Sequence, residues 1–261
     1  MFAKITSTTN SRIKQIKALQ NKKFRDETGE FVLEGEKLFG EVLGSGLVIK
    51  TLLAEANFLH ENPLIKRVVE NDVQIFECDR AVIESVSSTR TAQGVVVVCA
   101  LPQTTLPQDY AQGLWLVLDS LQDPGNVGAM LRSADAFGAV GVLLGTGCAD
   151  PYGPKAIRAA MGSTFHLPVV IAQDLPQELV RMKEQGFALL AAHLKGKEYL
   201  PQTLPKKIAL LIGNEGNGLS QEVTAQATLM YRLEMKGRAE SLNAAVCAGI
   251  LLYEVSRRMN G

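Results

Sequence analysis

Three stretches of the 261-residue chain put glycine beside polar side chains just after an apolar run. That is where an open α/β sheet holds ligands, at the carboxyl ends of its strands. The first, LDSLQDPGNVGAMLRSADAFG at 118–138, has a turn at Pro124 and Gly125, Asn126 as the cap of the next helix, and Arg132 about six residues into it. Val127, Met130, Leu131 and Ala134 form its packing side. By itself, this stretch is better explained by a capped helix with a solvated arginine than by a ligand site. The second, LLIGNEGNGLS at 210–220, surrounds Glu215 with Gly213, Gly216 and Gly218. Backbone without side chains lets N–H and C=O groups approach a ligand closely, and a carboxylate accepts from ligand hydroxyls or amines. The third, LEMKGRAESLNAAVCAGILLYE at 233–254, carries Lys236, Gly237 and Arg238, then Glu240, Ser241 and Asn243 at a helix start. Ser241 reads as the N-cap, which leaves Asn243 in the first turn as an amide available to a ligand.

Other chemistries lack their residues. There is no GxxxxGK[ST], GxSxG, HExxH or EF-hand loop, and GTGCAD at 145–150 lacks the third glycine of a dinucleotide fingerprint. Cys78, Cys99, Cys148 and Cys247 are scattered, with too few histidines near them for a zinc cluster, so no metal is expected and the thiols read as reduced. His60, His166 and His193 lie outside the three loops and read as packed or surface side chains.

The elements that must position these loops alternate. Short apolar runs at 114–120, 140–145, 166–171, 187–194, 207–213 and 230–235 read as strands covered on both faces. Between them the pattern predicts helices at 126–137, 154–161, 175–185 and 220–227. A last helix is predicted at 242–259, where Leu242, Ala245, Val246, Gly249, Ile250 and Tyr253 follow the spacing of one apolar face. Such alternation predicts a mostly parallel sheet with helices on both faces. Upstream, strands at 31–35, 47–54, 73–78 and 94–100 with helices at 36–43 and 63–71 predict a smaller α/β domain. The polar, proline-bearing stretch at 102–107 reads as the linker, giving domains 1–104 and 105–261.

The chain holds 27 basic and 27 acidic residues, yet Lys4, Arg12, Lys14, Lys17, Lys22, Lys23 and Arg25 occur before the first acidic one. Ser11 is the predicted cap of a helix that leaves Arg12, Lys14, Lys17 and Lys22 on a solvated face, a cationic arm or simply a charged helix surface. No apolar run approaches the roughly 20 residues of a membrane span, and the first twenty residues lack a signal peptide's apolar stretch. The expectation is a soluble, cytoplasmic protein.

Taken in order, the three loops resemble the three motifs of the SpoU-type (TrmH-like) RNA 2′-O-ribose methyltransferases of the SPOUT superfamily: DPGNVGAMLRSADAFG, IGNEGNGLS and ESLNAAVCAGILLYE. The likeness covers 114–258, and FVLEGEKLFGEVL with TAQGVVVVCA is similar to the ribosomal-protein-like substrate-binding domain that precedes the catalytic domain in many members. One difference is Glu234, where many members carry proline. The resemblance implies a C-terminal trefoil knot, S-adenosylmethionine as methyl donor, a homodimer with its sites at the interface, and an RNA substrate, ribosomal RNA before transfer RNA. By position it implies cofactor contacts at Gly213, Leu233 and Leu242 and an active-site set of Asn126, Arg132, Glu215, Ser241 and Asn243. Asn243 and Ser241 would fix the ribose, and Asn126 and Glu215 would brace the loops. A guanidinium with a pKa above about 12 is a poor base, so Arg132 is expected to act as a cationic clamp. A non-catalytic RNA-binding or ribosome-assembly factor of the same fold predicts erosion of Arg132, Asn243 or the 213–218 loop, and all are present.

Overall fold

The structure is a computed structural model that describes residues 2–69, 73–89, 91–102, 105–239 and 241–259. The chain divides into two compact units, Met1–Gln103 with Tyr152–Ile157, and Thr104–Pro151 with Arg158–Gly261. Residues 152–157 group with the first unit, which no composition shift announces. Gln103 and Thr104 of the predicted linker lie outside the described residues.

The first unit runs β1 (Ala3–Ile5), α1 (Ser11–Ala18), α2 (Lys22–Thr28), β2 (Glu30–Glu34), α3 (Glu36–Gly44), β3 (Ile49–Ala54), α4 (Ala56–Glu61), α5 (Ile65–Val69), β4 (Gln74–Cys78), α6 (Arg80–Val86) and β5 (Val95–Ala100). Its sheet is ordered β1-β4-β3-β5-β2, with β5 antiparallel to both neighbours and the other pairs parallel. Strand β1 and helices α2, α4 and α6 were not legible in the pattern. The predicted helix to Asn71 is seen as α5, ending at Val69, and Asn71 itself lies outside the described residues. The cap of α1 is Asn10, whose side chain accepts the Arg12 N–H, and Ser11 is already helical. The cationic arm is smaller than the sequence suggests. Arg12 lies over the Phe76 ring and donates to Gln74, and Arg25 is buried with its guanidinium on the Leu19 carbonyl at 2.7 Å. Lys14 and Lys17 stay exposed with no ion partner among the described residues.

The second unit runs β6 (Gly113–Leu118), α7 (Pro124–Ala136), β7 (Gly141–Gly145), α8 (Pro154–Ala160, its first residues counted with the first unit), β8 (Val169–Ala172), α9 (Leu175–Glu184), β9 (Ala188–Lys197), β10 (Lys207–Ile212), α10 (Gln221–Gln226), β11 (Leu229–Tyr231) and α11 (Ala244–Met259). All five strand pairs are parallel, in the order β11-β9-β10-β6-β7-β8. Successive strand residues face opposite sides, so Leu114, Leu116 and Leu118 pack with α7 and α11, whereas Trp115 and Val117 pack with α9 and α10. Two corrections bear on the site. The predicted strand 230–235 ends at Tyr231, and the remainder is irregular chain. On α11, which begins at Ala244 and not at the predicted Leu242, the fully buried face is Ala248, Leu251, Leu252 and Val255, while Val246, Ile250 and Tyr253, read as its packing stripe, are exposed, as is Leu242 ahead of the helix.

Candidate functional site

The first loop leaves β6 through Asp119, a buried carboxylate that accepts the Ser220 N–H at 2.7 Å and the Ser120 hydroxyl at 3.1 Å. Ser120 adopts φ 59°, a conformation a non-glycine residue holds only when its surroundings enforce it. The Ser120 carbonyl accepts the Asn214 side-chain amide at 2.9 Å, which ties the first loop to the second. The cap of α7 is Asp123, with Pro124 in the first turn, and its carboxylate accepts the Asn126 N–H at 2.9 Å. The side chain of Asn126 is therefore released from the capping role the sequence suggested.

The second loop is closed on itself. Asn214 and Gly218 exchange backbone hydrogen bonds of 2.9 Å in both directions, and the Asn214 Oδ1 accepts the Gly216 and Asn217 N–H groups at 2.9 and 3.3 Å. Gly213 is required by this closure, because a Cβ there would lie 2.1 Å from the Gly218 carbonyl carbon. Glu215 is held at the exposed tip.

The third loop ends at Asn243, which is the cap of α11 in place of Ser241. Its carbonyl accepts the Cys247 N–H at 2.9 Å, and its Oδ1 accepts the Ala245 and Val246 N–H groups at 2.9 and 3.3 Å. Its Nδ2 donates to Asn126 Oδ1 at 3.1 Å, and Asn126 Nδ2 donates to a Glu215 carboxylate oxygen at 2.5 Å. One residue from each of the three loops thus joins a single hydrogen-bonded chain, although Asn126 and Asn243 are 117 positions apart. Glu240 lies outside the described residues.

Two concavities adjoin this junction. One, of about 520 Å³, is walled by Ala192, His193, Leu194, Glu198, residues 231–235, Ser241, Leu242, Cys247 and Leu251. Leu233, Leu242 and Ser241 belong to its wall, and Gly213 does not. Glu234 belongs to it with no ion partner among the described residues, whereas Glu198 is paired with Arg232. Burial pushes the Cys247 thiol and the Tyr231 hydroxyl up. The other, of about 660 Å³, is an apolar groove between α7 and α11 with Asn126 and Asn243 at one end and Phe137 and Tyr253 along it, their rings 5.6 Å apart. Arg132 lines neither. At 3.6 residues per turn it projects about 240° around α7 from Asn126, exposed and without an ion partner among the described residues.

Sequence reasoning missed Asp119, Asp123, Asn214 and His193. The first three have a signal: short side chains with two acceptors or an amide beside glycine turns are where backbone donors need satisfying. Among the described residues no cluster could hold a metal ion, and no helix is long and apolar enough to cross a membrane.

Comparison with known proteins follows the two units. Residues 113–253 match the SpoU rRNA methylase family, and residues 10–97 match the MRM3-like substrate binding domain. The chain is 35% identical to the Bacillus subtilis 23S rRNA (guanosine(2553)-2′-O)-methyltransferase RlmP, over 96% of this chain and 98% of that one. Among solved structures, an S-adenosylmethionine-bound rRNA methyltransferase from Sinorhizobium meliloti superposes with a TM-score of 0.88 at 33% identity, covering 98% of each chain. The SpoU methyltransferase AviRb from Streptomyces viridochromogenes, solved with the same cofactor, gives 0.82 at 28% identity over 95% of this chain and 97% of that one.

Proposed function

The chain belongs to the SpoU rRNA methylase family, and from that membership we propose that it transfers a methyl group from S-adenosylmethionine to a ribose 2′-hydroxyl of RNA, ribosomal RNA foremost. The observation that carries this reading is the Asn243–Asn126–Glu215 chain, which unites three distant loops beside a cavity. The residues fit the cofactor. Leu194, Leu233, Leu242 and Leu251 offer an apolar wall to a purine, and the unpaired carboxylate of Glu234 suits a molecule bearing a sulfonium and an ammonium.

The cofactor supplies an electrophilic methyl group; the protein has to orient the acceptor and stabilise its developing charge. Asn126 and Glu215 brace the loops, Asn243 and Ser241 hold the ribose, and the Gly213 loop keeps the backbone beside the cavity in one shape. Arg132, exposed and unpaired among the described residues, is a two-pronged donor for the phosphate next to the target nucleotide. Residues 1–104 bind the RNA and residues 105–261 carry the chemistry, with Lys14, Lys17, Lys236 and Arg238 as exposed cations for the RNA backbone.

The exposed stripe of Val246, Ile250 and Tyr253 supports a homodimer through α11, since a monomer gains nothing by leaving three large apolar side chains in water along one helix. We read the C-terminal end of the catalytic domain as threaded into a trefoil knot, and the protein as working in the cytoplasm beside its ribosomal substrate.

Incubation with labelled S-adenosylmethionine and RNA from a strain lacking the gene, followed by nucleoside analysis, tests the function. The expected product is a 2′-O-methylated nucleoside in ribosomal RNA. Methyl on a base, or none transferred, overturns the reading.

A further inference from the structure

The family-level reading leaves His193, in the cavity wall, without a role. Strands β9 and β11 pair at Ala191 with Met230 and next at Lys197 with Tyr231, so the five residues 192–196 arch out between consecutive positions of the neighbouring strand. The return of the arch is pinned. A Cβ on Gly196 would stand 2.6 Å from the Tyr231 backbone, and the Lys197 carbonyl accepts the Arg232 N–H at 2.8 Å. Such an excursion disrupts the ladder and is the kind of feature that re-aims side chains beside a site. Here it carries His193 and Leu194 into the cavity wall.

The ring of His193 has a defined orientation. Its Nδ1 accepts the Lys195 N–H at 3.1 Å, so the neutral imidazole carries its proton on Nε2. Among the described residues no protein group pairs with that second nitrogen. A half-buried donor without a protein partner in a cavity wall is suited to a ligand acceptor.

Resting on the cofactor reading above, we propose that His193 is a cofactor-binding residue that donates from Nε2 to a neutral acceptor on the nucleoside part of S-adenosylmethionine. Its neighbours in the wall, Ala192, Leu194, Leu233 and Leu242, suit a purine nucleoside, and Glu198 and Glu234 disfavour the cofactor's own carboxylate there. The charged and titratable groups sharing the wall are Glu198 and its partner Arg232, Glu234, Tyr231 and Cys247.

Calorimetric titration of the full chain with 5′-deoxy-5′-methylthioadenosine, which lacks the amino-acid part and its charges, tests this. His193→Phe should bind about tenfold more weakly than the unaltered chain. His193→Gln, whose amide reaches the same region with an N–H, should retain most of the affinity. Equal binding by the Phe variant overturns the proposal, as does a loss seen only with S-adenosylhomocysteine, which would move the contact to the amino-acid part. Circular dichroism of each variant separates lost contact from lost fold. Should the unaltered chain bind none of S-adenosylmethionine, S-adenosylhomocysteine or methylthioadenosine, the cofactor reading itself fails and this inference with it.

Discussion

Helix α11 has two apolar faces with opposite fates. Ala248, Leu251, Leu252 and Val255 are buried against the sheet and α7, while Val246, Ile250 and Tyr253 line the α7 groove, Val246 with 52% of its surface exposed. Both faces satisfy helical periodicity, so spacing alone cannot say which one packs at home. The difference teaches that a helix apolar on two sides is built to bury one in its own core and to reserve the other for something outside it.

Breaking the buried face should have the largest effect. Leu252→Ala, at a position with no exposed surface, should cost about 2–5 kcal/mol in denaturant unfolding, whereas Ile250→Ala should cost well under half of that in the monomer. A similar cost for both would erase the distinction. Charging the outward face comes next: if the proposed homodimer forms through α11, Val246→Asp should leave the monomer folded but halve the mass read by light scattering, and an unchanged mass would remove α11 from that proposed interface. The cap at the head of both faces is worth less. Asn243→Ala loses two acceptor contacts and the Asn126 bond, for about 1–2 kcal/mol by thermal unfolding. The smallest effect concerns Cys247, which lines the cavity. Burial raises its folded pKa above the ordinary thiol value, so the stability it contributes is complete below that ordinary value and lost as pH climbs through the raised one. Replacing it by serine should flatten the alkaline slope of the melting temperature by a small but measurable margin.

Much of the catalytic half was legible because its strands are buried on both faces and read as near-continuous apolar runs, each followed by a glycine turn. The junction was legible only as ingredients. Asn126, Glu215 and Asn243 stand out by type and position, but their shared hydrogen bonds depend on Asp123 and Asn243 taking the capping roles that the sequence suggests for Asn126 and Ser241. His193 was invisible for a geometric reason. It sits at the end of FALLAAHL, where a regular strand would continue, and only the unpaired 192–196 arch turns it into the cavity wall. In the first unit, β1 and α2 were hidden because three- and seven-residue elements carry too few periods to register.

The central claim is that three separate loops act as one catalytic unit. Its most direct test is a double-mutant cycle of Asn126→Ala and Asn243→Ala, read as kcat/KM for methyl transfer to RNA with cofactor binding measured alongside. Coupled residues should give a double variant about as slow as the slower single one. Losses that simply multiply, with each variant folded, would mean that the 3.1 Å contact between them joins nothing that matters to the reaction.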